Sequence, residues 1–469
     1  MSLILTGLLA VVVVVTAGSG VMVSAPWVVR GLALGAEVAT VVLLVRGGRS
    51  LLLLSPLFLL ATSAVLFYSV VIALGAAWLL DDWETLWFIP AYLGQRAEGL
   101  VLQFAGLCLC VTTALAVVVP VSPDRGPDLS GRLARSLAVA AAVIALVYWG
   151  LLSGQDRGAV IKALHDAALP VLAALVATLA ERGGRLGGGA GRLFLAAAAA
   201  VVVLLFAGGD AKTATFIGSA GCGVYLVRGA GRLGGMRTVW IGTGVVLAVT
   251  TGVAIATMAR YGPLHRDPGL GAPTMVDRLM ALPRTLVVSK IMWRQAETGA
   301  CLQGVVDRHL ATSNKPSPPP EGEREKVIGS APVYFLTAVV PRALWPDKPS
   351  LSNGRLLGVA YCRQPETTIH DASVTLLGEP LIRGGPVGLA AAGGTLLLLL
   401  GAVTVGALRG GRTGLVGMGA LLPWMVDFDQ SFALYLANAV KMGLIVAAVL
   451  LGLRLWMALT NRSHPEFGG

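Results

Sequence analysis

The sequence predicts an all-α, polytopic bundle of transmembrane helices, about twelve spans, with one large and partly helical loop on the extracytoplasmic side. Three observations predict it: a shortage of charge, the length of the apolar runs, and an alternation of basic and non-basic loops. Of 469 residues 55% are hydrophobic and 13% charged, and mean hydropathy is +0.77. The charged share is about half that of an ordinary soluble domain, which excludes a water-soluble fold of this size. Uncharged runs of roughly 18 to 25 residues recur, the length a helix needs to cross about 30 Å of hydrocarbon. The runs are continuous rather than alternating, so they read as helices and not as barrel strands.

In chain order the spans are expected near 3–23, 27–45, 52–80, 100–121, 133–153, 159–180, 192–207, 214–227, 238–258, 385–408, 413–427 and 432–456. The first carries no basic residue in Met1 to Leu5 and no cleavage site before Trp27, so it is expected to stay as a helix. The third is long enough to tilt or kink at Pro56, and 214–227 is short for a full span. Arginines cluster in every second loop: Arg46 and Arg49, Arg125 to Arg135, Arg182 to Arg192, Arg228 to Arg237, Arg409 and Arg412. Basic short loops stay in the cytoplasm, so twelve spans with both termini cytoplasmic satisfy the whole pattern.

That topology divides the chain into spans one to nine (1–258), an extracytoplasmic loop (259–383) and spans ten to twelve with a cytoplasmic C-terminus (384–469). The loop holds fifteen Lys or Arg against eleven Asp or Glu, a net excess of four. A basic surface beside the outer leaflet suits an anionic ligand or lipid headgroup. Thr274 to Asp277 reads as a helix start, and Leu279, Leu282, Leu286, Val287 and Ile291 share one face, so 276–296 is expected to lie on the membrane as an amphipathic helix. Residues 315–326, rich in proline and glutamate, read as a linker.

Two of five cysteines, Cys301 and Cys362, fall in this loop and would face an oxidising compartment. A disulfide between them and a pair of free thiols are both open readings. No Cys and His stand at zinc-ligand spacing, and no nucleotide-binding loop is present. Glu37, Lys162, His165, Asp166, Asp210, Lys212, Asp427, Asp429 and Lys441 lie within or at the ends of spans. Charge is costly there and faces a cavity or a partner helix, and Asp166, Asp210 and Asp429 belong to the outer half.

The most informative stretch is PRALWPDKP, Pro341 to Pro349, followed some thirty residues later by LGEPLIRGGPVG, Leu377 to Gly388, where the chain re-enters the membrane. In order, spacing and side this pair resembles the extracytoplasmic loop of the Wzy-type O-antigen and oligosaccharide repeat-unit polymerases. The GGDAK turn, Gly208 to Lys212, adds to the likeness, with Lys212 where the family often has arginine. The resemblance implies a metal-independent membrane glycosyltransferase of the bacterial cytoplasmic membrane, with no cofactor and no nucleic-acid partner. Its substrate would be an undecaprenyl-pyrophosphate-linked oligosaccharide drawn from membrane lipid, and a chain-length regulator is a further expected partner.

A pyrophosphate leaving group calls for fixed cations, and arginine offers forked donors that match phosphate oxygens. Arg342 and Lys348 lead that set, with Arg284, Arg355, Arg383 and Lys212 behind them; headgroup snorkelling is the competing reading for such side chains. An acceptor hydroxyl needs a base, for which Glu379, His370 and Asp371 are the candidates. Glu379 has a competing reading as the ion-pair partner of Arg383, four residues on. Rival functions are an O-antigen ligase, a C-type polyprenyl-phosphate-dependent glycosyltransferase using Asp81 and Asp82, and a lipid-linked sugar transporter.

Overall fold

The computed structural model describes residues 3–78, 88–120, 159–207, 211–233, 284–310, 345, 354–364 and 372–462. Every regular element among them is helical. The main helices are α1 (Leu3–Ala17), α2 (Pro26–Arg46), α3 (Pro56–Thr62 continued by Ser63–Val70 and Val71–Trp78), α4 (Arg96–Val118), α5 (Ala159–Leu186), α6 (Gly188–Ala207), α7 (Ala211–Leu233), α8 (Arg284–His309), α9 (Gly354–Tyr361), α10 (Thr375–Arg409), α11 (Gly411–Met425) and α12 (Phe432–Arg462). Among the described residues seven helices, α2 to α6, α10 and α12, are long and apolar enough to cross a membrane. The chain is thus built as a multi-pass membrane protein. The spans expected at 133–153 and 238–258, and the linker 315–326, lie outside the described residues.

Local chemistry sets several helix boundaries. Ser55 caps α3 by accepting from the Phe58 N–H at 3.2 Å, and Pro56, whose missing donor costs nothing there, takes the first helical position. Buried threonines at 40, 112, 113, 178 and 404 each donate to the carbonyl four residues back. No hydroxyl of that set is left unpaired in hydrocarbon. The helix at 214–227, expected to be short, extends as α7 over 23 residues.

Two groups of helices form. α4 sits at the centre of one, packed by α1, α2 and α3 through Ala10, Val13, Val29, Ala33, Leu57, Leu60, Val101 and Ala105. α5 is the centre of the other, packed by α6, α7, α11 and α12. Close approach in the first group depends on glycine, since a Cβ at Gly106 would stand 2.7 Å from Val14 Cγ2 and 3.1 Å from the Ala10 carbonyl. Gly106→Leu is therefore expected to force α1 away from α4 and cost about 1–3 kcal/mol. Its thermal unfolding midpoint in detergent should fall measurably, and an unchanged midpoint would contradict the packing.

The central third of α3, Ser63–Val70, is wound as a π-helix. Such a turn carries one extra residue and re-aims its neighbours. Here it offers the Tyr68 carbonyl to the Tyr92 hydroxyl at 2.6 Å and the Ser69 hydroxyl to Glu98 at 2.6 Å.

The loop helix differs from its expected form. α8 does not end near 296 but runs to His309, and from that point Ala296, Ala300, Cys301, Leu302, Val305 and Val306 are buried in the first core; the face expected on the membrane, Leu279 to Ile291, lies outside the residues whose side chains are described. Polar residues that interrupt its apolar pattern are absorbed by bonding: Gln303 accepts from the Ala97 N–H at 2.9 Å and donates to Asp307 at 2.6 Å. Gly299 lets the Tyr92 ring approach within the space a methyl group would fill. The stretch 296–306 of α8 thus buries its side chains against protein.

Candidate site at the break in α10

α10 is two helices joined at Gly385. That residue has φ 57° and ψ −149°, a region open to glycine alone, with Pro380 and Pro386 on either side. A Cβ on Gly388 would stand 2.6 Å from the Pro380 carbonyl, so the N-terminal half bends back beside the start of the C-terminal half. The N-terminal half is buried from Thr375 to Ile382, whereas the C-terminal half exposes Val387 and Leu398.

This buried half-helix is tied to the turn between α11 and α12. The Ser373 hydroxyl donates to the Asp429 carbonyl, and the Leu376 N–H donates to the Phe428 carbonyl at 3.3 Å. Glu379 completes the seam. Its Oε2 accepts from the Ala433 N–H at 2.9 Å, while its Oε1 receives Arg383 Nε at 2.8 Å and Nη2 at 2.5 Å. Both carboxylate oxygens are thus engaged, an arrangement that fixes a guanidinium and fits the ion-pair reading of Glu379.

The turn itself is polar. Gln430 donates to Asp427 Oδ2 and Asn438 donates to Gln430 Oε1, each at 2.9 Å. Asp429 differs from its neighbours: its Oδ1 is buried and has no hydrogen-bond partner among the described residues. Burial pushes its carboxyl up to about 7.

α8 and α9 meet the same end of the first core. Cys301 and Cys362 are joined by a disulfide with Cα atoms 4.4 Å apart. Arg308 stacks over the Tyr361 ring at 5.0 Å and His309 Nε2 lies 3.2 Å from the Tyr361 hydroxyl. Leu302 of α8 packs beside Gly378 of α10. The base of this platform is a buried ion pair, Arg30 to Glu98, with Nε and Nη2 each 2.8 Å from one carboxylate oxygen. Glu98 also accepts from Ser69 Oγ and from the Gly94 N–H at 2.5 Å. Burial pushes the nearby Tyr92 phenol well above its ordinary range, which keeps it a donor to Tyr68.

Of the residues expected to form the site, Glu379 and Arg383 are in contact, and Cys301 and Cys362 are bonded. Arg284 opens α8, Arg355 lies in α9 and Lys212 is in the first turn of α7. Arg342, Lys348, His370 and Asp371 lie outside the described residues, as do Asp81 and Asp82; Trp345, between the first two, is exposed. No group of three or more His, Cys, Asp or Glu among the described residues is placed to hold a metal ion.

Sequence reasoning missed Arg30 and Glu98. The available signal was a charge near the start of each of two apolar helices, Arg30 in α2 and Glu98 in α4. Asp429 was visible only as an ionisable residue at a span end.

No family model matches this chain, and neither characterised proteins nor solved structures show a match to it.

Proposed function

We propose that the chain is a polysaccharide repeat-unit polymerase of the bacterial cytoplasmic membrane. It transfers a glycan from undecaprenyl pyrophosphate to an incoming lipid-linked oligosaccharide at the outer face. The observation that carries this reading is the arginine held by a buried carboxylate at the Gly-Glu element, Gly378 and Glu379, on a half-helix at membrane re-entry. That element is one of the two motifs on which the resemblance rests, and a fixed guanidinium is what a departing pyrophosphate requires. The twelve-span topology expected from the sequence is compatible with it, since it would put α8, the N-terminal half of α10 and the 426–431 turn on the same external side. Arg342 and Lys348 share the pyrophosphate with Arg383, and Glu379 orients rather than deprotonates. No step of this reading draws on a cofactor, and a chain-length regulator would act beside it as partner.

The test is in-membrane polymerisation of undecaprenyl-pyrophosphate-linked repeat units, read as ladders. Wild type should give ladders, and Arg342→Ala and Glu379→Ala should slow them by roughly 100-fold. Ladders at the wild-type rate from both variants would remove the site assignment. Single transfer to an added acceptor without growth would instead identify a ligase.

A further inference from the structure

We propose that Asp429 is the base that accepts the proton from the acceptor's sugar hydroxyl, and that the turn between α11 and α12 is the acceptor subsite. The assignment rests on the polymerase reading and goes beyond it, naming a group for the nucleophile's side of the reaction.

Carboxylates of the described residues around this end are already committed. Glu98 holds Arg30, Glu379 holds Arg383, Asp307 accepts from Gln303, Glu297 from Gln364 and Asp427 from Gln430. Asp429 alone among these combines a fixed backbone with a carboxyl oxygen that is buried and has no partner among the described residues. A buried carboxyl oxygen without a partner costs free energy unless something completes it, and a sugar hydroxyl is a donor of the right kind. With its carboxyl near 7, Asp429 is ionised in useful amount at neutral pH and still basic enough to take a proton. Gln430, next in the chain, and Asn438, which donates to it, carry amides that both donate and accept, as neighbouring sugar hydroxyls demand.

The seam between turn and half-helix brings nucleophile and leaving-group ends together. Ala433, four residues beyond Asp429, bonds Glu379, and Glu379 holds Arg383. In the reaction the acceptor hydroxyl oxygen bonds to the donor's anomeric carbon. The bond from that carbon to the pyrophosphate oxygen breaks, its electron pair staying with the lipid pyrophosphate. The hydroxyl proton passes to the Asp429 carboxylate and from there to water.

The experiment uses the full chain in proteoliposomes with undecaprenyl-pyrophosphate-linked oligosaccharide purified from cells lacking this protein. Asp429→Asn should lower kcat by at least about 100-fold with KM within about threefold of wild type. Azide, which has no proton to lose, should still attack the donor and give glycosyl azide in D429N at the wild-type rate. Polymer at wild-type kcat from D429N overturns the proposal, and so does loss of the azide reaction along with polymerisation, which marks a structural role. Should D429N fail to fold, Asp429→Glu carries the test: a displaced base should lower kcat about tenfold with azide turnover retained, and wild-type kcat overturns it. Failure of wild type itself to polymerise would sink the polymerase reading instead.

Discussion

Arg30→Ala is expected to destabilise the protein by about 3–5 kcal/mol, the largest effect of any single substitution considered. Glu98 is completely buried, and its two oxygens take both arms of the Arg30 fork, the Ser69 hydroxyl and the Gly94 N–H. Without the guanidinium an anion remains that no other cation among the described residues bonds. The π-turn of α3, the Tyr92 segment and α4 then lose their common anchor. Thermal unfolding in detergent measures the effect, and the double variant Arg30→Ala with Glu98→Ala should recover part of it, because the stranded charge has gone too. Arg30→Lys should fall between, since an ammonium cannot reproduce the two-pronged contact. Equal midpoints for wild type and R30A would show that the network contributes nothing.

Replacing Cys301 and Cys362 by serine should cost about 4 kcal/mol, from the entropy that a closed loop of 61 residues removes from the unfolded chain. The bond links α8 to the end of α9, and the whole PRALWPDKP segment lies between its two cysteines. Losing it should therefore reduce stability, and with it the polymerisation proposed above. Non-reducing electrophoresis of wild type, with and without a thiol, supplies the direct check: identical mobilities would rule the bond out, and C301S/C362S should run like the reduced protein.

Much of the bundle was legible from hydropathy alone, because a span announces itself by length. α2, α4 and α6 begin and end within a few residues of the apolar runs that predict them. The end of α8 was harder to read, since glycines and bonded polar residues interrupt the apolar pattern of the stretch 296–306 that is buried. The Glu379 and Arg383 pair is a matter of local helical spacing and could be anticipated. Arg30 and Glu98 stand 68 residues apart, and hydropathy says nothing about which two spans touch. Asp429 owes its character to a seam with residues more than fifty positions earlier, so its letter in the sequence carries no sign of it.

The break at Gly385 bears on how the protein meets bilayers of different thickness. A continuous 35-residue helix would be about 52 Å long, well beyond the hydrocarbon depth, and any change in its tilt would swing both ends. Divided at the glycine, only the stretch after Pro386 needs to lean as lipid chains lengthen or shorten. The segment bearing Glu379 and Arg383 is clamped to the α11–α12 turn instead, so its geometry is insulated from the acyl composition of the surrounding membrane.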